Sequence, residues 1–237
     1  MRDLWELRNP NPGYESLYLT ATSPDGTQAL WLRHTWLNGE PQLWVTWWGP
    51  ELTQARGPGT AKLTDSGSKG TLEGHRWDLR WSALHEPVRY LPTQLYDRRW
   101  PRSNGAVLIP HGEVRGSFDG HDLTGWSAVV GHNWGAEHAY QWVWLHGVHG
   151  DDWFDQLRVK PGKRAPWVTS TTTHLDGETL HSRTRVWARV TPGPEVHWDY
   201  ASPHGPARQV RNSSTASAEF DGRTFFATIE HGGPGPG

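Results

Sequence analysis

Residues 126–147 read WSAVVGHNWGAEHAYQWVWLHG and set ionisable side chains inside aromatic surface. His132, Glu137 and His138 are the first candidates for proton transfer. A histidine beside a carboxylate can be tuned to give or take a proton near neutral pH. Asn133 can orient a polar group. The indoles of Trp134, Trp142 and Trp144 can hold an apolar chain and stabilise developing positive charge. On an extended chain His132 and Trp134 share one face and Asn133 takes the other. The bland alternative makes Glu137 and His138 a turn bonded to backbone.

Glu15 is the second candidate. It stands in the run Tyr14-Glu15-Ser16-Leu17-Tyr18, which reads as a strand. A carboxylate there is either solvated or buried and paired, and a buried one is a candidate acid. His34 and Trp36, on the strand expected to pair with it, are placed to face it. Tyr18 and Trp77 join them as candidate substrate contacts. His132, His138, His146 and His149 could compose a metal site, but their spacing matches no helical histidine pair or metalloprotease pattern. We expect no metal and no cofactor. Glycine-rich phosphate loops and a nucleophile elbow are absent.

These residues need strands to position them. Strands are expected at residues 14–21, 28–37, 42–48, 71–81, 111–118, 123–130 and 142–145, then at 153–159, 167–175, 179–190, 195–200, 209–219 and 224–230. Turn signals separate them: Ser23-Pro24-Asp25-Gly26, Asn38-Gly39, Asp119-Gly120, Asp176-Gly177 and Asp221-Gly222. Residues 49–69 read as loop with at most one weak strand. Residues 85–110 read as a long connection with a helical turn near 94–97. Residues 1–13 read as an irregular lead-in, and the GGPGPG tail as unstructured. Many short strands and no long helix predict an all-β barrel or sandwich.

Composition narrows the classes. The chain has 237 residues, net charge −2, no cysteine and 17 tryptophans. Without a basic block, no nucleic-acid partner is expected. Without cysteine there is no disulfide framework. No apolar run suits a leader or a transmembrane segment, which points to a cytoplasmic protein. So many indoles point to an aromatic-walled cavity as well as a core.

Asn133-Trp134-Gly135 followed by Trp142-Val143-Trp144 resembles the "NWG…WfW" segment of tocopherol cyclase. Tyr14-Glu15-Ser16-Leu17-Tyr18 is similar to that family's opening "FEGWYF", with Leu17 in place of Trp. Related "EWWY" and "DHEW" segments occur in carotenoid 1,2-hydratase and its relatives, which include Diels–Alderase-type cyclases. His132 and Trp134 match the second pattern. Asn133 stands for its Glu and Gly131 for its Asp, so that acid is not carried over. The resemblance implies two lipocalin-like antiparallel β-barrel or β-sandwich halves, set at residues 1–118 and 119–237, the second reduced in length. It implies a cofactor-independent cyclase, hydratase or isomerase for an isoprenoid- or polyketide-like molecule. A lipocalin-like carrier of a hydrophobic ligand is the alternative, and a scaffold with tryptophans only in its core is the third.

Overall fold

The computed structural model describes residues 3–7, 12–96, 102–183, 187–202 and 205–234. It contains two antiparallel sheets, and the chain divides into compact units Met1–Ala136 and Glu137–Gly237. Neither sheet closes into a ring among the described residues. Nor is any described helix long and apolar enough to cross a membrane.

The first sheet contains β1 (Tyr14–Thr22), β2 (Ala29–Leu37), β3 (Glu40–Trp48), β4 (Leu52–Gly57), β5 (Thr60–Thr64) and β6 (Gly67–Leu72). It continues with β7 (His75–Ala83), β8 (Val88–Arg89), β9 (Ser103–Phe118), β10 (His121–Asp122) and β11 (Trp126–Gly135). Its order is β4-β3-β2-β1-β11-β9-β7-β6-β5, with β8 and β10 paired to β9. Residues 119–136, expected in the second half, lie in this unit because β11 pairs with both β1 and β9.

The second sheet contains β12 (Gln141–His149), β13 (Asp152–Lys160), β14 (Val168–Leu175), β15 (Glu178–Ser182), β16 (Arg189–Thr191), β17 (Val196–Ser202), β18 (Gly205–Phe220) and β19 (Arg223–Pro234). Its order is β15-β14-β13-β12-β19-β18-β16, with β17 paired to β18.

Turn chemistry sets the register. Asn38-Gly39, Asp119-Gly120, Asp176-Gly177 and Asp221-Gly222 all carry positive φ at both residues, the conformation that matches strand twist in a tight hairpin. Glu73-Gly74 does the same, with φ of 48° and 94°. It therefore splits the single strand expected at 71–81 into β6 and β7. The loop expected at 49–69 carries β4 and β5. The connection expected at 85–110 holds β8, a short 3₁₀ turn at Thr93–Leu95 and the start of β9. Residue 97 of the expected helical turn falls outside the described residues. In the tail, Gly232, Gly233 and Pro234 are part of β19, paired to β18.

Strand alternation sorts the core. On β1, Glu15, Leu17, Leu19 and Ala21 share one face with Leu30 and Leu32 of β2 and Ala128, Val130 and Trp134 of β11. This is the apolar interior of the first unit, completed by Val45, Trp47, Leu72, Trp77, Leu79 and Leu108. The second unit has its own core around Leu145, Phe154, Phe225, Ala227 and Ile229.

Candidate active site

Pairing across β2, β1 and β11 places the first site. Glu15 lies between Trp36 and Trp134 in register, and Leu17 lies between His34 and His132. His132 reaches diagonally, and its Nε2 is 2.9 Å from Glu15 Oε1. Both side chains have 0% exposure. His132 Nδ1 is 2.6 Å from the carbonyl oxygen of Leu4. A carbonyl only accepts, so Nδ1 carries a proton and donates it. That leaves Nε2 facing the carboxyl. Either the imidazolium donates to a carboxylate, or a carboxylic acid donates to neutral imidazole. In both states one proton lies between the two groups.

The surroundings suit that proton. The Trp134 ring lies 4.6 Å from the His132 ring, and Tyr96 packs 5.4 Å from Trp134. Burial pushes the Tyr96 hydroxyl above the usual phenol range, and that hydroxyl donates to the Gly105 carbonyl. Leu4 joins the core, with Trp5 and Leu7 packed against it, so Asp3–Leu7 covers the pair.

His34 and Trp77 meet through a residue the sequence reading did not single out. Trp77 Nε1 donates to Ser68 Oγ at 2.8 Å, and His34 Nε2 lies 3.3 Å from the same oxygen. The indole donates to this oxygen, and the His34 tautomer sets which way the Ser68–His34 bond runs. Burial drives the His34 imidazole down to about 4, so it is neutral at physiological pH.

The remaining candidates lie elsewhere. Tyr18 and Asn133 occupy the opposite face of the same strands, away from Glu15 and His132. The Tyr18 ring lies over Gly131, where a Cβ would sit 2.2 Å from it. Glu137 and His138 belong to the second unit, where His138 stacks on Trp142 at 4.8 Å. Trp142 donates to Glu230 Oε1 at 3.0 Å, and Trp144 to Asp155 Oδ2 at 2.7 Å. Asp155 and Glu230 were not singled out from sequence. The available signal was period-two alternation: Trp142, Trp144 and His146 on β12, and Trp153 and Asp155 on β13.

A cleft of about 480 Å³ lined by Ser23, Asp25, Gln28, His121, Asp122 and Trp126 contains none of the expected residues. It opens beyond the far end of β1, roughly 25 Å along the strand from Glu15. Among the described residues, no three His, Asp or Glu side chains converge as a metal site would need.

No protein-family model matches the chain, and no curated protein sequence matches it. Solved structures do match its shape. An AttH-like protein from Nitrosomonas europaea aligns with a TM-score of 0.60 over 95% of this chain and 93% of its own, at 13% identity. CghA aligns at 0.65 over 97% and 89%, at 10% identity. Kievitone hydratase from Nectria haematococca aligns at 0.58 over 93% and 88%, at 11% identity. What is shared is the fold. It is all-β, in two lipocalin-like halves.

Proposed function

We propose that this chain is a cofactor-independent enzyme of the cyclase, hydratase or isomerase type, in the lyase/isomerase class. Its substrate is a hydrophobic, isoprenoid- or polyketide-like small molecule. The observation that carries the reading is the Glu15–His132 pair, two buried side chains with one proton between them. Such a pair can protonate an olefin or carbonyl and later take a proton back, which cyclisation, hydration and isomerisation all require. The Trp36 and Trp134 indoles beside it supply ring faces for developing positive charge. The fold likeness supports the same reading: one neighbour is named a hydratase, and CghA also has a structure with Sch210972. Leu4 packs against His132, so a substrate must displace that segment to reach the pair.

The complete burial of the pair favours one competing reading, a carrier that holds a hydrophobic ligand and leaves it unchanged. Purified protein incubated with a panel of isoprenoid and polyketide-like olefins, followed by mass analysis, separates them. The enzyme reading expects a hydrated or isomeric product that disappears in Glu15→Gln and His132→Asn while ligand still binds. Binding without product, or product undiminished in both variants, defeats it.

A further inference from the structure

The second unit contains a histidine with one nitrogen satisfied and the other not. His146 on β12 lies directly opposite Asp155 on β13. Its Nδ1 is 3.3 Å from Asp155 Oδ2, which also accepts from Trp144 Nε1 at 2.7 Å. A carboxylate oxygen that accepts from the indole accepts from Nδ1–H in the same way, so the proton sits on Nδ1. In the neutral ring with its proton on Nδ1, Nε2 is an acceptor. It is buried and has no hydrogen-bond partner among the described residues, in a side chain only 3% exposed. A buried polar atom in this state is destabilising and calls for an explanation.

The rings around it indicate what could fit. Trp144 and Trp153 lie on the two sides of the imidazole, 5.9 and 6.2 Å away and tilted by 23° and 19°. The nearly parallel row continues to His174, 6.0 Å from Trp153. An imidazole nitrogen accepts in its own ring plane. A planar group bonded to Nε2 therefore extends that plane and runs alongside the flanking indoles.

We infer that His146 is a ligand-binding residue of the second unit, whose Nε2 accepts the hydroxyl proton of a flat aromatic alcohol of the phenol class. The Asp155 carboxylate is its positioning partner: it holds the tautomer that leaves Nε2 free to accept. The site is closed without ligand, so binding requires the wall around Nε2 to open. The inference concerns binding alone and does not depend on whether Glu15 and His132 turn over a substrate.

The test compares 2-naphthol with 2-methoxynaphthalene, which keeps the rings and lacks the donor. Affinities come from calorimetry, and NMR of ring-¹⁵N-labelled histidine locates the contact. The wild-type chain should bind 2-naphthol about ten-fold more tightly, the worth of one hydrogen bond, and only the alcohol should shift the His146 Nε2 resonance upfield. His146→Phe should abolish the preference between the probes. Asp155→Asn should reduce it, because the imidazole is then free to carry its proton on Nε2. Absence of 2-naphthol binding, equal affinity for both probes, or an unmoved His146 signal would overturn the inference. Each is read on the wild-type chain, so a variant that fails to fold does not shield it. A preference that survives in folded His146→Phe would overturn it too.

Discussion

The two units each bury a histidine against a carboxylate on the neighbouring strand, and they finish the job differently. In the first, His132 uses both nitrogens, one on Glu15 and one on the Leu4 carbonyl. In the second, among the described residues, His146 uses only Nδ1, on Asp155. The first arrangement confines a proton between two groups. The second fixes a tautomer and leaves a lone pair. A buried imidazole is thus not one device. Its chemistry follows from what meets the second nitrogen.

Breaking the first pair should have the largest effect. Glu15→Ala leaves His132 Nε2 without its partner in an apolar interior, and removing one member of a buried pair costs about 3–5 kcal/mol. Urea unfolding measures it. Replacing both, with Glu15→Met and His132→Leu together, should recover part of that loss, because neither member of the pair is then left facing an apolar side chain and only the Leu4 carbonyl loses its donor. A double variant as unstable as the single one would show that the surrounding packing, not the pair, sets the cost.

His34 supplies the next test, and it acts through pH. Burial holds its imidazole at about 4 in the folded chain, against 6.5 for an ordinary histidine. Below pH 6.5 the unfolded chain therefore takes up a proton that the folded chain refuses until about 4. Stability contributed at this position is fully present above 6.5 and falls as pH drops through that window, by about 3 kcal/mol at most. Chemical denaturation from pH 7.5 to 4 should show a decline that His34→Gln makes shallower. Equal slopes in both proteins would remove His34 as the cause.

Much of this was legible in residue order. Asn-Gly and Asp-Gly turns located hairpins because only a few residues tolerate positive φ at both turn positions. Alternation put His132 and Trp134 on one face and Asn133 on the other. Glu73-Gly74 was missed because glutamate is not a residue expected at positive φ. The weak strands β4 and β5 were read as loop because glycine, threonine and proline dominate that stretch and mimic turns. Contacts made at long range were invisible: Leu4 and His132 are 128 residues apart, and Glu15 and His132 are 117 apart. Ser68, Asp155 and Glu230 look like surface residues in sequence. Only pairing partners reveal that each accepts an indole N–H.

Glycine contacts extend the comparison at a smaller scale. Gly131 on β11 accommodates the Tyr18 ring, and Gly232 on β19 accommodates Trp142, with a Cβ falling 2.2 and 2.0 Å from those rings. Alanine at either position forces an aromatic side chain to shift, and overpacking of this kind costs about 1–3 kcal/mol. Thermal melts of the two variants should drop by similar amounts. A neutral Gly232→Ala would mean that Trp142 moves aside freely, and its bond to Glu230 would then be dispensable.

The smallest effect is expected at His146, and it is the sharpest discriminator between the two pairs. His146→Phe keeps a flat ring between Trp144 and Trp153 and removes the unpartnered nitrogen. It also takes one donor from Asp155, whose Oδ2 keeps the Trp144 indole. The two consequences oppose each other, each of about 1–2 kcal/mol, so the stability change should be within about 1 kcal/mol of zero. Urea midpoints for His146→Phe and His132→Phe, measured side by side, decide it. His132→Phe should unfold far earlier, since it takes a buried partner from both the Glu15 carboxyl and the Leu4 carbonyl. Equal midpoints would mean that His146 is as firmly bonded as His132, and the distinction between a confined proton and an open lone pair would fall.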